Sequence, residues 1–463
     1  MFNNLQKYKN RIALVGEDKI KITYKKLIEE SKNINDKIEK NSLILLVSDN
    51  TVPSILAYVS FLKNNHTTLI VDKNFDIKYL ESIIKVYCPR YIFSPEALFI
   101  KKFFLKKKYK VENFTLFENH RYKKKKIHPK NFILLSTSGT TGNPKFVRIS
   151  KKNILSNTKK IIEYLNINSQ HTTITTMPMA YSYGISIINT HLEKGAKIIV
   201  NNNTVAERKF WEKLNEYKVN SFGGVPMFYE YLEKLRFEKF NTKYLKYLTQ
   251  AGGKLKESQF VYLNKICKLK KINFYSMYGQ TEASPRMSYL DPKKILVKKG
   301  SIGRPLIGSK FQLMDENKKI IKKPYINGEL IFKGSNVSLG YAKNIDDLKK
   351  GDQNNKLLHT GDIAYRDEDN YYYIVGRKNR FIKLNGIRLN LDDIERLLSN
   401  HKIIALCFSE DDKLFINLKN KSSEIKAKKI LNEKFRIRHS EVFIVDRDSK
   451  KIPTNFKSVL NVL

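Results

Sequence analysis

The sequence predicts an α/β fold in which one large domain of sheets flanked by helices is followed by a small α+β domain. Three observations predict it. Short apolar runs alternate with helix-like stretches through the first half of the chain. The texture turns to aromatic, strand-like segments from about Glu329. A highly charged segment, Arg377 to Lys383, then separates a strand ending in Gly376 from the turn pair Asn385-Gly386.

The elements follow in order. Leu43 to Val47 reads as a strand, Val52 to Lys63 as a helix, and Thr68 to Val71 as a strand. Ile77 to Tyr87 reads as the next helix and Tyr91 to Phe93 as the next strand. Compact β runs separated by helices of this length imply βαβ units around a largely parallel sheet. Such sheets bind ligands beyond the carboxyl ends of their strands. Gly328 to Gly334 and Asn370 to Val375 read as antiparallel strands. Past the charged segment, Leu391 to Leu398 and Ser423 to Lys434 read as helices. Ile403 to Phe408, Lys413 to Asn417 and Glu441 to Val445 read as short strands. The boundary therefore falls between residues 1–377 and 378–463.

Composition narrows the class. Of the 463 residues, 41% are hydrophobic and 11% aromatic, which excludes a disordered chain. The apolar runs, Leu43 to Val47 and Val52 to Leu62, are too short to span a bilayer, and the first residues hold no signal-peptide core. The three cysteines, Cys88, Cys267 and Cys407, lie far apart without metal-ligand spacing, as suits a reducing compartment. A cytoplasmic protein is expected. The net charge of +42 is spread along the chain together with heavy use of Lys, Asn, Ile and Tyr. That pattern fits codon bias better than a nucleic-acid interface, and no nucleic-acid module accompanies it. The densest patch, Lys101 to Lys126, reads as a solvated helix face followed by a loop, with docking on an anionic membrane as the alternative.

The chemistry concentrates in Phe132-Ile133-Leu134-Leu135-Ser136-Thr137-Ser138-Gly139-Thr140-Thr141-Gly142-Asn143-Pro144-Lys145. An apolar strand runs into a loop of hydroxyls and glycines that ends in a lysine. Gly139 and Gly142 let backbone N–H groups approach phosphate oxygens. Thr137, Ser138, Thr140 and Thr141 add hydroxyl donors, and Lys145 adds a positive charge. Asn143-Pro144 separates Gly142 from Lys145, so the Gly-Lys-Ser/Thr ending of the common nucleotide-triphosphate loop is excluded.

Thr137 to Lys145 resembles the signature loop of the acyl-adenylate-forming, or AMP-binding, superfamily, which includes acyl- and aryl-CoA ligases, peptide-synthetase adenylation domains and luciferase. Further segments match in the family's order: Ile22 to Leu27, Ala251-Gly252-Gly253, Tyr278-Gly279-Gln280-Thr281-Glu282, Ser301 to Pro305, Gly328-Glu329-Leu330, Thr360-Gly361-Asp362 and Gly376-Arg377. The resemblance implies a distorted β-barrel portion within the large domain and a mobile small domain. It also implies ATP and Mg²⁺ as cofactors, with CoA or phosphopantetheine as co-substrate. Tyr278 would stack on adenine beside Gly252 and Gly253, Thr281 would meet the α-phosphate, and Glu282 would hold Mg²⁺. Asp362 and Arg377 would bind the ribose. The catalytic lysine would be Lys457, although Phe456 stands where the family has Gly. Asn379 and Arg380 depart from the usual hinge pair, whereas Lys383 and Gly386 match the segment that follows.

Met177 to Gly184 corresponds to the acyl site. No acid stands at Ala180 or Tyr181 to pair with a substrate ammonium, and Tyr181-Ser182-Tyr183-Gly184 is similar to the acyl- and aryl-CoA ligases. Gly224 is expected in the same pocket. The reading is thus an AMP-forming acid–thiol ligase acting on a carboxylic acid without an α-amino group. The acceptor is CoA or an acidic acyl carrier protein. The alternatives are an amino-acid-activating carrier-protein ligase and a catalytically degenerate nucleotide-binding member.

Overall fold

The structure is a computed structural model and describes residues 1–96, 105–136, 144–384, 387–410, 413–435, 437, 440 and 442–445. Strands Leu43–Ser48, Thr67–Asp72 and Tyr91–Pro95 are parallel neighbours joined through helices Val52–Lys63 and Ile77–Tyr87. Leu43 to Val47 are all buried, as a parallel strand covered on both faces must be. Helix Val52–Lys63 takes Pro53 in its first turn and is buried from Val52 to Leu62. Helix Ile77–Tyr87 is capped by the Asp76 carboxylate, which accepts from the Lys78 amide at 3.3 Å.

These strands belong to an eight-stranded sheet that continues through Ile133–Ser136 and Phe146–Ile149 to Gly340–Ala342 at one edge. A nine-stranded sheet has a parallel centre, running Ile12–Val15, Lys197–Ile199, Thr172–Ile174, Ser221–Gly224, Tyr247–Gln250 and Asn273–Gly279. Its antiparallel edges are Lys21–Thr23 on one side and Arg286–Leu290 with Arg304–Pro305 on the other. Both sheets feed one apolar cluster. Leu46 and Ile70 from the first meet Leu14 and Ile198 from the second, with Val59 and Ile188 from the helices between them.

A third sheet, Lys310–Met314, Gly328–Lys333, Leu357–Arg366 and Tyr372–Arg377, is wholly antiparallel. It is the portion expected to resemble a distorted barrel. A bridge from Gly303 to Tyr372 ties it to the end of the nine-stranded sheet. After Arg377 the described strands form a two-stranded sheet, Phe381–Leu384 with Ile387–Asn390, and a three-stranded sheet, Ala405–Glu410, Lys413–Leu418 and Val442–Val445. Helices Leu391–Asn400 and Glu424–Phe435 pack on them around Ile394, Leu398, Ile416 and Leu431.

One expectation is corrected. From residue 105 onward the lysine-rich patch is not a solvated helix face: Leu105–Val111 and Phe114–Asn119 form a hairpin at the far edge of the eight-stranded sheet, while residues 101–104 lie outside the described residues. Phe114 and Phe117 are buried in the core, so they are not free to enter a membrane. Among the described residues no helix is long and apolar enough to cross a bilayer.

Candidate active site

Tyr247–Gln250 and Asn273–Gly279 run parallel with Tyr247 opposite Asn273, so the loops at Ala251 and Gln280 leave the same edge of the sheet. The phosphate-loop strand Ile133–Ser136 is likewise parallel to Thr67–Asp72, and Ser136 and Asp72 line the same cleft. That cleft has a volume of about 1950 Å³ and takes in Tyr181, Gly252, Tyr278, Glu282, Asp362 and Arg377. It lies where topology alone places a ligand.

Asp362 is the centre of one polar group. It is 2% exposed, and its Oδ1 pairs with Arg377 Nε at 2.8 Å. Its Oδ2 accepts from the Tyr278 hydroxyl and, at 2.8 Å, from Gln280 Nε2. The register sets this up, because Asp362 stands opposite Arg377 in the third sheet. Burial holds the Asp362 carboxyl above its usual range, although Arg377 and the two hydrogen bonds pull the other way. Burial first, and Asp362 second, push the Tyr278 phenol far up. Tyr278 therefore stays a neutral donor with its ring on the cleft.

A second group joins three distant segments. The Tyr341 hydroxyl donates to Glu282 Oε1 at 2.7 Å, and Lys145 Nζ stands 3.6 Å from the centre of the Tyr341 ring. Strand pairing brings them together, since Tyr341 lies opposite Val147, two residues past Lys145. Arg148, fully buried, fastens the two strands by donating to the carbonyls of Tyr341 at 3.1 Å and Leu339 at 3.0 Å. Thr281 Oγ1 lies 3.1 Å from Ser182 Oγ, which links the nucleotide side to the acyl side.

On the acyl side, Tyr181 precedes helix Ser182–Glu193 and is 38% exposed to the cleft. Gly252, at φ +81°, sits with its would-be Cβ 3.0 Å from the Tyr181 hydroxyl, a conformation and a closeness that favour glycine. Gly253 follows in the cleft wall. Gly184 has no room for a side chain, because a Cβ would lie 2.2 Å from the Pro178 carbonyl. Tyr183 faces inward instead: its hydroxyl donates to the Thr249 carbonyl at 2.8 Å, and burial pushes its phenol up to about 12. Gly224 packs against Phe228, behind the residues that line the cleft.

Thr137, Ser138, Gly139, Thr140, Thr141, Gly142, Gly386 and Lys457 lie outside the described residues. Lys383 lies in the strand Phe381–Leu384. Of the departing hinge pair, Arg380 donates to Glu395 at 2.7 Å, Asp392 at 2.8 Å and the Cys407 carbonyl. Sequence reasoning missed Gln280 and Tyr341 as parts of these groups. Gln280 lay inside a quoted motif without a role, whereas Tyr341 stands 59 residues from its acidic partner and only the fold unites them.

Comparisons with known proteins identify the family and the fold. The model of the AMP-binding enzyme family matches residues 1–342. A 2-succinylbenzoate–CoA ligase of Bacillus cereus is 29% identical over 274 residues, 59% of this chain and 55% of that protein. An oxalate–CoA ligase of Arabidopsis thaliana is 27% identical over 284 residues, 60% and 54% of the two chains. This chain thus spans about half the length of the curated relatives it matches. The O-succinylbenzoate coenzyme A synthetase of Bacillus subtilis in complex with AMP shares the fold, with a TM-score of 0.75, 18% identity, and coverage of 96% of this chain and 94% of that one. The chain belongs to the AMP-binding enzyme family.

Proposed function

We propose that this protein is an ATP-dependent, AMP-forming acid–thiol ligase. The observation that carries the reading is the convergence of Tyr278, Asp362 and Arg377 with Glu282, Thr281 and Lys145 around one cleft. In the first half-reaction a carboxylate oxygen of the acid attacks the α-phosphorus of ATP and pyrophosphate leaves. In the second, a thiol sulfur attacks the acyl carbon and AMP leaves.

Tyr278 offers an apolar face for adenine, and Asp362, held by Arg377, offers acceptors for ribose hydroxyls. Thr281 supplies a hydroxyl to the α-phosphate, and Lys145 with the loop Thr137 to Gly142 supplies charge and donors to the β- and γ-phosphates. The donor set fits Mg²⁺. Glu282 has Oε1 fixed by Tyr341, its other oxygen has no hydrogen-bond partner among the described residues, and those residues hold no three-ligand metal cluster. One carboxylate plus substrate phosphates is the usual holding of this ion, which when bound neutralises the developing phosphate charge. Lys457 is assigned the charge at the reacting carboxylate and α-phosphate.

The substrate is a carboxylic acid without an α-amino group, since Ala180 and Tyr181 offer no carboxylate to an ammonium. The acids in the relatives' names, 2-succinylbenzoate and oxalate, carry two carboxyl groups and no amine. The acceptor is CoA, with a carrier-protein phosphopantetheine as the alternative that the +42 charge favours. We place the domain boundary between residues 377 and 378, supported by the apolar cluster around Ile382, Ile394, Ile416 and Leu431, all of whose members lie beyond it. A cytoplasmic location suits the free thiols Cys88, Cys267 and Cys407.

The test is acid-dependent ATP–pyrophosphate exchange over fatty, aryl, hydroxy and amino acids, with Lys457→Ala beside the wild type. Exchange with an acid class, lost in the variant, supports adenylation and the lysine. Nucleotide binding without exchange for any acid overturns it in favour of a degenerate, nucleotide-binding member.

A further inference from the structure

Arg286 is 3% exposed, yet no carboxylate among the described residues pairs with it. Its Nη1 donates to the Tyr164 hydroxyl at 2.8 Å and touches Met277 Sδ, and its Nη2 donates to Ser186 Oγ at 3.2 Å. The guanidinium carbon lies 4.5 Å from the centre of the Tyr183 ring. Its Nε is buried without a hydrogen-bond partner among the described residues. The titratable side chains whose protonation feels its charge, Tyr164, Tyr181, Tyr183, His191 and Tyr247, are neutral when Arg286 is charged.

Arg148 shows how this fold completes a buried guanidinium. Its Nε and both terminal nitrogens donate to backbone carbonyls or to Gln353. Arg286 has no such set, although its position is firmly fixed. Its backbone N–H donates to Asn157 Oδ1 at 3.3 Å, and its carbonyl accepts from Asn157 at 2.7 Å and Asn336 at 3.0 Å. A buried cation held in place without an anion is costly, and the fold retains it against Tyr183 and Ser186 of the acyl-site helix, behind the residues that line the cleft. Arg286 stands opposite Gly279 in the sheet, one side chain behind Met277, which lines the cleft. Methionine is the unbranched, adaptable side chain suited to move aside there.

We infer that the missing anion belongs to the substrate: Arg286 receives a second carboxylate, so the acid activated here is a dicarboxylic acid, or one with an equivalent distal anion. The inference rests on the adenylation reading, which requires the first carboxylate at the α-phosphate. Arg286 is then a specificity-determining residue, because a monoacid of equal length leaves its charge buried and unmatched.

The experiment is ATP–pyrophosphate exchange with length-matched pairs: succinate against butyrate, glutarate against valerate, and 2-carboxyphenyl acids against phenyl acids. Wild type is expected to favour the diacid of the best pair by at least about thirtyfold in kcat/KM. Arg286→Met should bring that ratio to within about threefold, and Arg286→Lys should keep part of it. If Arg286→Met does not fold, as its melting curve will tell, the wild-type ratio and Arg286→Lys decide. Exchange with equal or greater efficiency for monoacids overturns this inference and leaves adenylation standing. Absence of exchange with every acid, while ATP still raises the melting temperature, overturns the adenylation reading and this inference with it.

Discussion

Replacing Tyr341 by Phe removes one oxygen and keeps the ring, which separates its two contacts. The lost interaction is the 2.7 Å hydrogen bond to Glu282 Oε1. A hydrogen bond to a charged acceptor is worth about 1.5–3 kcal/mol when dry. Tyr341 is 37% exposed, so water replaces part of it, leaving roughly 1–1.5 kcal/mol, or about a tenfold effect. Its site of action is the orientation of the Glu282 carboxylate. The expected result is therefore a five- to tenfold rise in the free Mg²⁺ needed for half-maximal ATP–pyrophosphate exchange. Tyr341→Leu also removes the face against Lys145, 3.6 Å away, and should cost a further 0.5–1 kcal/mol or about two- to fivefold in KM for ATP. A Mg²⁺ titration of Tyr341→Phe that overlays the wild type, or a Leu variant no worse than Phe, would refute the argument.

Asp362→Asn should weaken ATP binding at least about tenfold, read by thermal shift or calorimetry, because Arg377 loses its ion pair and Gln280 a charged acceptor. Gly184→Ala should cost roughly 1–3 kcal/mol of stability, seen as a lower melting temperature, since its Cβ would meet a backbone carbonyl at 2.2 Å. His66 and His191 are held near pKa 4, in both cases mainly by burial. For such a base the unfolded chain binds more protons between about pH 6.5 and 4, so each costs up to roughly 3 kcal/mol as pH falls through that window. His66 has Nδ1 accepting from the Ser42 amide and Nε2 facing Asn35 Oδ1, so the neutral ring is the satisfied form. His66→Gln should flatten the fall of melting temperature with acid.

Much of the scaffold was legible because local rules and tertiary needs coincided. Ile77 to Tyr87 carries its own cap in Asp76, and the apolar run Leu43 to Val47 could only be covered on both faces. Glycine-bearing motifs identified the cleft loops for the same reason: positive φ and close approach leave a mark in the sequence, as at Gly252. The lysine patch defeats a local reading because lysine suits a helix surface as readily as an edge strand. Its strand character rests on Phe114 to Phe117 being buried against Tyr91–Pro95, a partner the local sequence does not specify. Tyr341 and Arg286 were illegible for a related reason. Their meaning lies in Glu282, Lys145, Tyr164 and Ser186, which the chain brings near only after two sheets have formed.

That hairpin also bears on how copies of the protein would meet. Among the described residues Leu105–Val111 is the last strand of its sheet, an edge whose row of backbone groups another copy could zip onto. Lys106, Lys107, Lys108 and Lys110 lie along it, and Glu96 and Glu118 beside it each pair with two or more of the neighbouring cations. Two such edges approaching each other meet with like charge, so the lysines act as a guard against stacking. The guard depends on the reach of the charge, which shrinks to about 3 Å at 1 M salt. Crowded, salty solutions are therefore where chains of this protein should begin to associate edge to edge.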